Sequence, residues 1–144
     1  MTWNISSSAF RMYLNKNIVN AIKDNIYPVV TDFLAENKPD YWAIHPGGIR
    51  IVQAVKESLN LHESDIEDST SVLKQYGNMS SPTILFVLKK ILNKIKFADH
   101  MENKKIFSCA FGPGLSVEMI SFSSVYTSHP YSVKNIKKKY VIES

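Results

Sequence analysis

Three short breaker motifs, His45-Pro46-Gly47-Gly48, Tyr76-Gly77-Asn78-Met79-Ser80-Ser81 and Phe111-Gly112-Pro113-Gly114, punctuate this chain at wide spacing. Proline and glycine at these points stop helices and strands and force sharp turns. What lies between them must therefore be a series of separate elements. Tyr41-Trp42-Ala43-Ile44 is a short apolar run that suits a buried strand, and it ends at the first motif. Ile49 to Leu59 follows, with Val52, Val55 and Leu59 on one helical side, so the first motif joins strand to helix.

The same reading extends in both directions. Thr2 to Ile5 is a short extended opener, and Asn15 to Ala35 is an amphipathic helix with Ile18, Ile22, Ile26 and Val29 on one face. Pro28 inside that helix is expected to kink it or divide it in two. Asn60 to Thr70 is polar and acidic and reads as a connector holding one helical turn, with Ser71 to Tyr76 leading into the second motif. Ser81 to Phe97 is a helix so apolar over Ile84 to Leu92 that burial on every side is expected. A hydroxyl cap from Ser80 or Ser81 ahead of Pro82 suits its start. Ile106 to Phe111 and Leu115 to Phe122 read as an antiparallel strand pair around the third motif. The alternation makes the chain α/β, a mixed sheet with helices packed on it.

Bulk properties bound the function. At 144 residues with 44% hydrophobic content the chain can build one substantial core. A net charge of +4 is modest and partly concentrated in Lys137-Lys138-Lys139, with no aromatic-basic repeat, so no nucleic-acid partner is expected. Asn135 to Lys139 is read as a solvated surface or tail. No apolar run reaches the roughly 18 residues of a membrane span. The lone Cys109 excludes an intrachain disulfide, and the opening residues lack a leader pattern, so the expected location is cytoplasmic. Within an apolar strand the Cys109 thiol is expected to be inert packing.

Each motif supports a chemical reading and a structural one. His45 stands at a strand end, where α/β proteins concentrate ligand and catalytic sites, although a His in a Pro-Gly turn also serves structure alone. Asn78 precedes a helix N-terminus, where an amide can cap the helix or point into a pocket. An amide beside an imidazole is a donor pair suited to an enolate or thioester oxyanion.

Taken in order, the three motifs, with Leu115-Ser116-Val117-Glu118 after the third, resemble the carboxy-terminal half of the chalcone synthase family, the type III polyketide synthases. The resemblance runs from about Trp3 to Phe122 and implies one half of a thiolase-like αβαβα sandwich. It divides the chain into a synthase-type domain over 1–128 and a basic extension over 129–144. It implies that His45 and Asn78 are catalytic, and that Phe10, Ser80, Phe111, Gly112, Pro113 and Gly114 shape the substrate pocket. It also implies that Gly48 and Arg50 lie near coenzyme A. Two positions depart from the family: Ala110 stands where plant members usually have Gly, and Arg50 replaces a small residue.

The implied activity is decarboxylative condensation of malonyl-coenzyme A with an acyl-coenzyme A starter, with no cofactor and no metal. The family's nucleophilic Cys lies in the other half. The resemblance therefore implies a partner, either a Cys-bearing amino-terminal half or a second copy in a homodimer. The alternative is a catalytically incomplete thiolase-like module acting in assembly or acyl-ligand binding.

Overall fold

The structure, a computed structural model, describes residues 2–6, 9–13, 16–97, 103–112, 116–125 and 132–140. Ten elements follow one another: β1 (Thr2–Ser6), β2 (Ala9–Tyr13), α1 (Lys16–Leu34), β3 (Tyr41–Ile44), α2 (Ile49–Ser58), α3 (Glu63–Tyr76), α4 (Pro82–Phe97), β4 (Lys105–Phe111), β5 (Val117–Val125) and β6 (Ser132–Tyr140). β1 and β2 form an antiparallel hairpin of their own, so the expected extended opener has a second strand. The other four strands make one sheet in the order β3-β4-β5-β6. β3 runs parallel to β4, and the remaining pairs are antiparallel, which makes the sheet mixed.

Side-chain alternation along the strands divides the core in two. Trp42 and Ile44 of β3, Phe107 and Cys109 of β4, and Val117 and Met119 of β5 face one side. There they meet Ile22, Ile26, Val30 and Leu34 of α1 and the buried stripe of α2, Ile51, Val52, Ala54 and Val55. Phe107 is the hub, with ring centroids 5.2 Å from Trp42 and 5.9 Å from Phe33, both edge-on. Ala43 and Ile106 face the other way and pack with Val72 of α3 and Val87 and Ile91 of α4.

Helix α3 runs along the edge of the sheet and serves both faces, with Ile66 in the first cluster and Val72 in the second. It is a full helix of 14 residues, where one helical turn was expected. Its apolar stripe is interrupted by the buried polar residues Asp68 and Ser69, which hides the period from a hydropathy reading. Both have partners that the sequence does not announce. The Ser69 hydroxyl accepts the Ile44 N–H at 3.1 Å, satisfying a donor on the free edge of β3. The Lys94 ammonium of α4 lies 2.7 Å from Asp68 Oδ1. Burial works against the Lys94 charge, but hydrogen bonds and attraction from Asp68 and Glu67 outweigh it and raise the Lys94 pKa. The helix starts where Asp65 Oδ2 accepts the His62 N–H at 2.8 Å, half of a capping box.

Three other expectations are corrected. Of the two outcomes expected of Pro28, a kink or a division of α1, the division does not occur: α1 runs from Lys16 to Leu34 with Pro28 inside it. Pro28 is on the exposed side, where water can reach the carbonyl it leaves without a donor, and the Thr31 hydroxyl donates back to Tyr27 O at 2.8 Å. Helix α4 is not buried on every side: Val87 and Ile91 are fully buried, but Leu85 is 63% exposed, Phe86 39% and Leu92 36%. Of the two alternatives for residues 135–139, a solvated surface or a tail, the tail is corrected: they lie in β6, which adds to the sheet beside β5 with an irregular register. Lysines on an outer strand are a common guard against further pairing, and they mask a strand from composition-based reading.

Among the described residues, no helix is long and apolar enough to cross a membrane. Nor do they hold a cluster of three His, Cys, Asp or Glu side chains able to bind a metal ion.

Candidate active site

The ends of β3 and β4 set the site. Ile44 pairs with Cys109, and the next residue, His45, donates its N–H to Cys109 O at 2.8 Å. That bond extends the parallel ladder one step beyond the strand and holds the His45 backbone at the sheet's end. The chain then turns, with Gly47 N–H donating to His45 O at 2.9 Å, and enters α2 at Gly48. Gly48 carries the Ncap of α2, where its carbonyl accepts the Ile51 N–H at 3.0 Å. Arg50 lies in the first turn of α2 and is exposed.

The His45 ring is half-buried, and burial lowers its pKa below the usual imidazole value, so it is neutral at neutral pH. Nδ1 is buried and has no hydrogen-bond partner among the described residues. The other edge of the ring faces the turn. A Cβ built on Gly47 would stand 3.6 Å from His45 Cδ2 and 3.8 Å from Nε2. Glycine at 47 keeps side-chain bulk away from the edge that carries Nε2.

The second motif comes from the end of α3. Gly77 closes that helix at φ 70°, a left-handed angle that favours glycine, and its N–H donates to Leu73 O. Asn78 follows and donates from Nδ2 to Gly47 O at 3.0 Å, across 31 residues of sequence. The first two motifs therefore meet at Gly47, whose N–H donates to His45 O and whose carbonyl accepts the Asn78 amide. An amide nitrogen carries two protons, so the second one on Nδ2 is available to a ligand. Asn78 Oδ1 accepts the Ser80 N–H at 2.9 Å, while Ser80 sits at φ 63°. The Ser80 and Met79 N–H groups, in the turn ahead of α4, are taken by the side chains of Asn78 and Thr83.

The third motif begins at the same sheet end. Phe111 closes β4 two residues beyond Cys109 and packs partly buried against the first core cluster. Gly112 N–H donates to Ser116 O at 2.8 Å, and a Cβ on Gly112 would come within 2.6 Å of Ser116 Oγ. Pro113 and Gly114 lie outside the described residues. Phe10 belongs to the other sheet, in register with Ile5 across the β1–β2 hairpin. Burial pushes the Cys109 thiol up to about 12, which agrees with its reading as inert packing.

Two residues that hold the site were not singled out in the sequence. Ser69 ties down the amide immediately before His45. Its signal was its spacing, three residues from both Ile66 and Val72, which sets a hydroxyl on a buried stripe where it must find a partner. Thr83, fully buried, bonds to the turn that carries Asn78. A Thr just after the first proline of a helix gives little warning of that.

Comparison with known proteins supplies the family. The profile described as "Chalcone and stilbene synthases, C-terminal domain" matches residues 2–126. The chain is 34% identical over 117 residues to the "Alpha-pyrone synthesis polyketide synthase-like Pks18" of Mycobacterium tuberculosis, a match covering 78% of this chain and 29% of that protein. It is 30% identical over 134 residues to the "Putative chalcone synthase" of Bacillus subtilis, covering 85% of this chain and 34% of that one. The crystal structure of PKS-I from the brown alga Ectocarpus siliculosus superposes with a TM-score of 0.69 at 32% identity, over 83% of this chain and 34% of the alga's. The chain thus spans about a third of the length of these relatives. With its mixed sheet, its helices on both faces and a family match across nearly its whole length, the chain belongs to the chalcone and stilbene synthase family, as its carboxy-terminal domain.

Proposed function

We propose that this domain supplies two of the three catalytic groups of a type III polyketide synthase reaction, with His45 and Asn78 acting on a thioester held by a cysteine outside this chain. The observation that carries the reading is the Asn78 Nδ2 to Gly47 O bond, which brings the two motifs to one turn at the end of the sheet. The buried Cys109 supports the assignment of the nucleophile elsewhere, because a thiol with a pKa of about 12 is not a thiolate at neutral pH.

In this reading an acyl group passes from coenzyme A to the external cysteine. Malonyl-coenzyme A then loses carbon dioxide, and the resulting enolate attacks the acyl thioester, breaking its C–S bond and releasing the cysteine as thiolate. A neutral His45 can take the thiol proton, which leaves a thiolate–imidazolium pair. The free proton on Asn78 Nδ2 and an N–H on the imidazole donate to the thioester oxygen as negative charge collects there. Phe111, Gly112, Pro113, Gly114, Ser80 and Phe10 are assigned to the pocket, and Gly48 and Arg50 to the approach of coenzyme A. Residues 1–128 form the synthase-type domain, and the extension over 129–144 adds β6 to it.

The exposed apolar side of α4 supports a partner, because Leu85, Phe86 and Leu92 on one helix make a surface of the kind that drives association. The occupant is the Cys-bearing amino-terminal half or, without it, a second copy of this chain. The same surface favours the second reading, a non-catalytic module kept for assembly or acyl-ligand binding. Coexpression with a Cys-bearing half, followed by an assay of coenzyme A release from malonyl-coenzyme A and an acyl starter, separates them. The expected result is activity lost in both His45→Ala and Asn78→Ala; a stable complex whose activity survives both substitutions would overturn the catalytic reading.

A further inference from the structure

We infer that Thr83 is a positioning residue that sets the orientation of the Asn78 side chain. The inference rests on reading Asn78 as an oxyanion donor, but its geometry is independent of that reading. Thr83 is fully buried at the start of α4, and its Oγ1 accepts the Met79 N–H at 2.8 Å. It donates to Ser80 O at 2.7 Å, and Asn78 Oδ1 stands 3.5 Å away, close enough to share the hydroxyl proton. The Thr83 backbone N–H also reaches Ser80 O, at 3.0 Å. One hydroxyl thus engages both residues that follow Asn78.

The consequence falls on the Asn78 amide. Ser80 is held at φ 63°, a left-handed angle that is unfavourable for a non-glycine residue and needs surrounding contacts to persist. In that conformation its N–H points back to Asn78 Oδ1 at 2.9 Å. With Oδ1 engaged, the amide plane is fixed and Nδ2 is directed to Gly47 O. Removing the Thr83 hydroxyl leaves the Met79 N–H without its acceptor and lets the Ser80 turn relax. The Asn78 amide then loses its fixed plane although Asn78 itself is untouched. Sequence spacing alone does not reveal this, since position 83 is five residues away, inside the helix that Asn78 precedes.

The test compares Thr83→Val, which keeps the shape and removes the hydroxyl, with Thr83→Ser, which keeps the hydroxyl. Asn78 side-chain amide resonances are read in the isotope-labelled chain and assigned by their loss in Asn78→Ala. The expected result is that Thr83→Val moves both Asn78 Nδ2 proton signals and speeds their exchange with water, while Thr83→Ser keeps them near their original positions. Where the valine variant does not fold, Thr83→Ala carries the same comparison. In the complex with a Cys-bearing half, Thr83→Val should lower kcat about tenfold or more with KM little changed, since misplacement of a catalytic group is felt mainly in the chemical step. A folded Thr83→Val or Thr83→Ala protein with unmoved Asn78 signals overturns the inference, as does a serine variant that shifts them equally. The resonances judge the positioning role and Asn78→Ala in the condensation assay judges the catalytic reading, so either can fail without the other.

Discussion

The two faces of the sheet are finished to different degrees. Against one, α1 and α2 close a core whose central members, Phe107, Ile44, Val52 and Val55, are completely buried. Against the other, α4 buries only one side of itself, and Ile120 of β5, on that same sheet face, is 42% exposed. The contrast separates stability from assembly. The first face is closed by two helices, while the second, although it buries Ala43, Val87, Ile91 and Ile106, also leaves apolar side chains exposed. The same partition bears on chemistry, because Asn78 and Thr83 lie at the beginning of the incompletely covered helix, whereas His45 hangs from the strand that the well-buried face supports.

The contrast can be broken by substitution. Phe107→Ala should cost the most, about 3–5 kcal/mol in urea denaturation, because it removes the aromatic hub of the closed face. Leu85→Ala, at a position 63% exposed, should stay within about 0.5 kcal/mol. Similar losses at the two positions would show that the faces are equally closed in solution and end the distinction.

Ser69→Ala comes next. It strips the acceptor from the Ile44 N–H at the edge between the two faces, and an unsatisfied buried donor costs about 1–3 kcal/mol by the same measurement. A loss no larger than that of Leu85→Ala would mean that water reaches the β3 edge and that α3 does not seal it.

Much of this arrangement was legible in the sequence where a single period ran undisturbed. β3 and α2 stand where Tyr41 to Ile44 and Ile49 to Leu59 were read, because apolar spacing and the Pro-Gly-Gly turn between them point to the same structure. The strand pair β4–β5 was equally clear from its apolar runs. Reading failed where polar residues sit inside. Asp68 and Ser69 disguised α3, because their partners, Lys94 and the Ile44 N–H, are remote in sequence. It failed again at β6, whose lysines resemble a tail, and at α4, whose apolar residues predict burial on all sides although this chain covers only one. For the candidate site, His45, Asn78 and Phe111-Gly112 were legible as motifs, but the meeting of the first two at Gly47 and the hydroxyls of Ser69 and Thr83 required the fold.

The smallest effect concerns pH. The folded-state pKa of His45 is lowered by burial from 6.5, so the unfolded chain takes up the proton first as pH falls. Stability that depends on neutral His45 is present in full above pH 6.5 and is lost as pH drops from there through the lower folded-state value. Thermal melts of the native chain and His45→Gln should therefore diverge in slope on the acid side of 6.5 and run parallel above it. Parallel curves throughout would place the ring in open solvent and remove its link to the buried strand end.

The most direct test of the central claim is the reactivity of the external cysteine. In a complex of this chain with a Cys-bearing amino-terminal half, the rate of alkylation by iodoacetamide is followed against pH, with Cys109 silent because burial holds its thiol at about 12. If His45 supplies the imidazole, the reactive thiol titrates well below its usual value of about 8.5 and returns toward it in His45→Ala. An unshifted titration, identical in the native and His45→Ala complexes, would contradict the account.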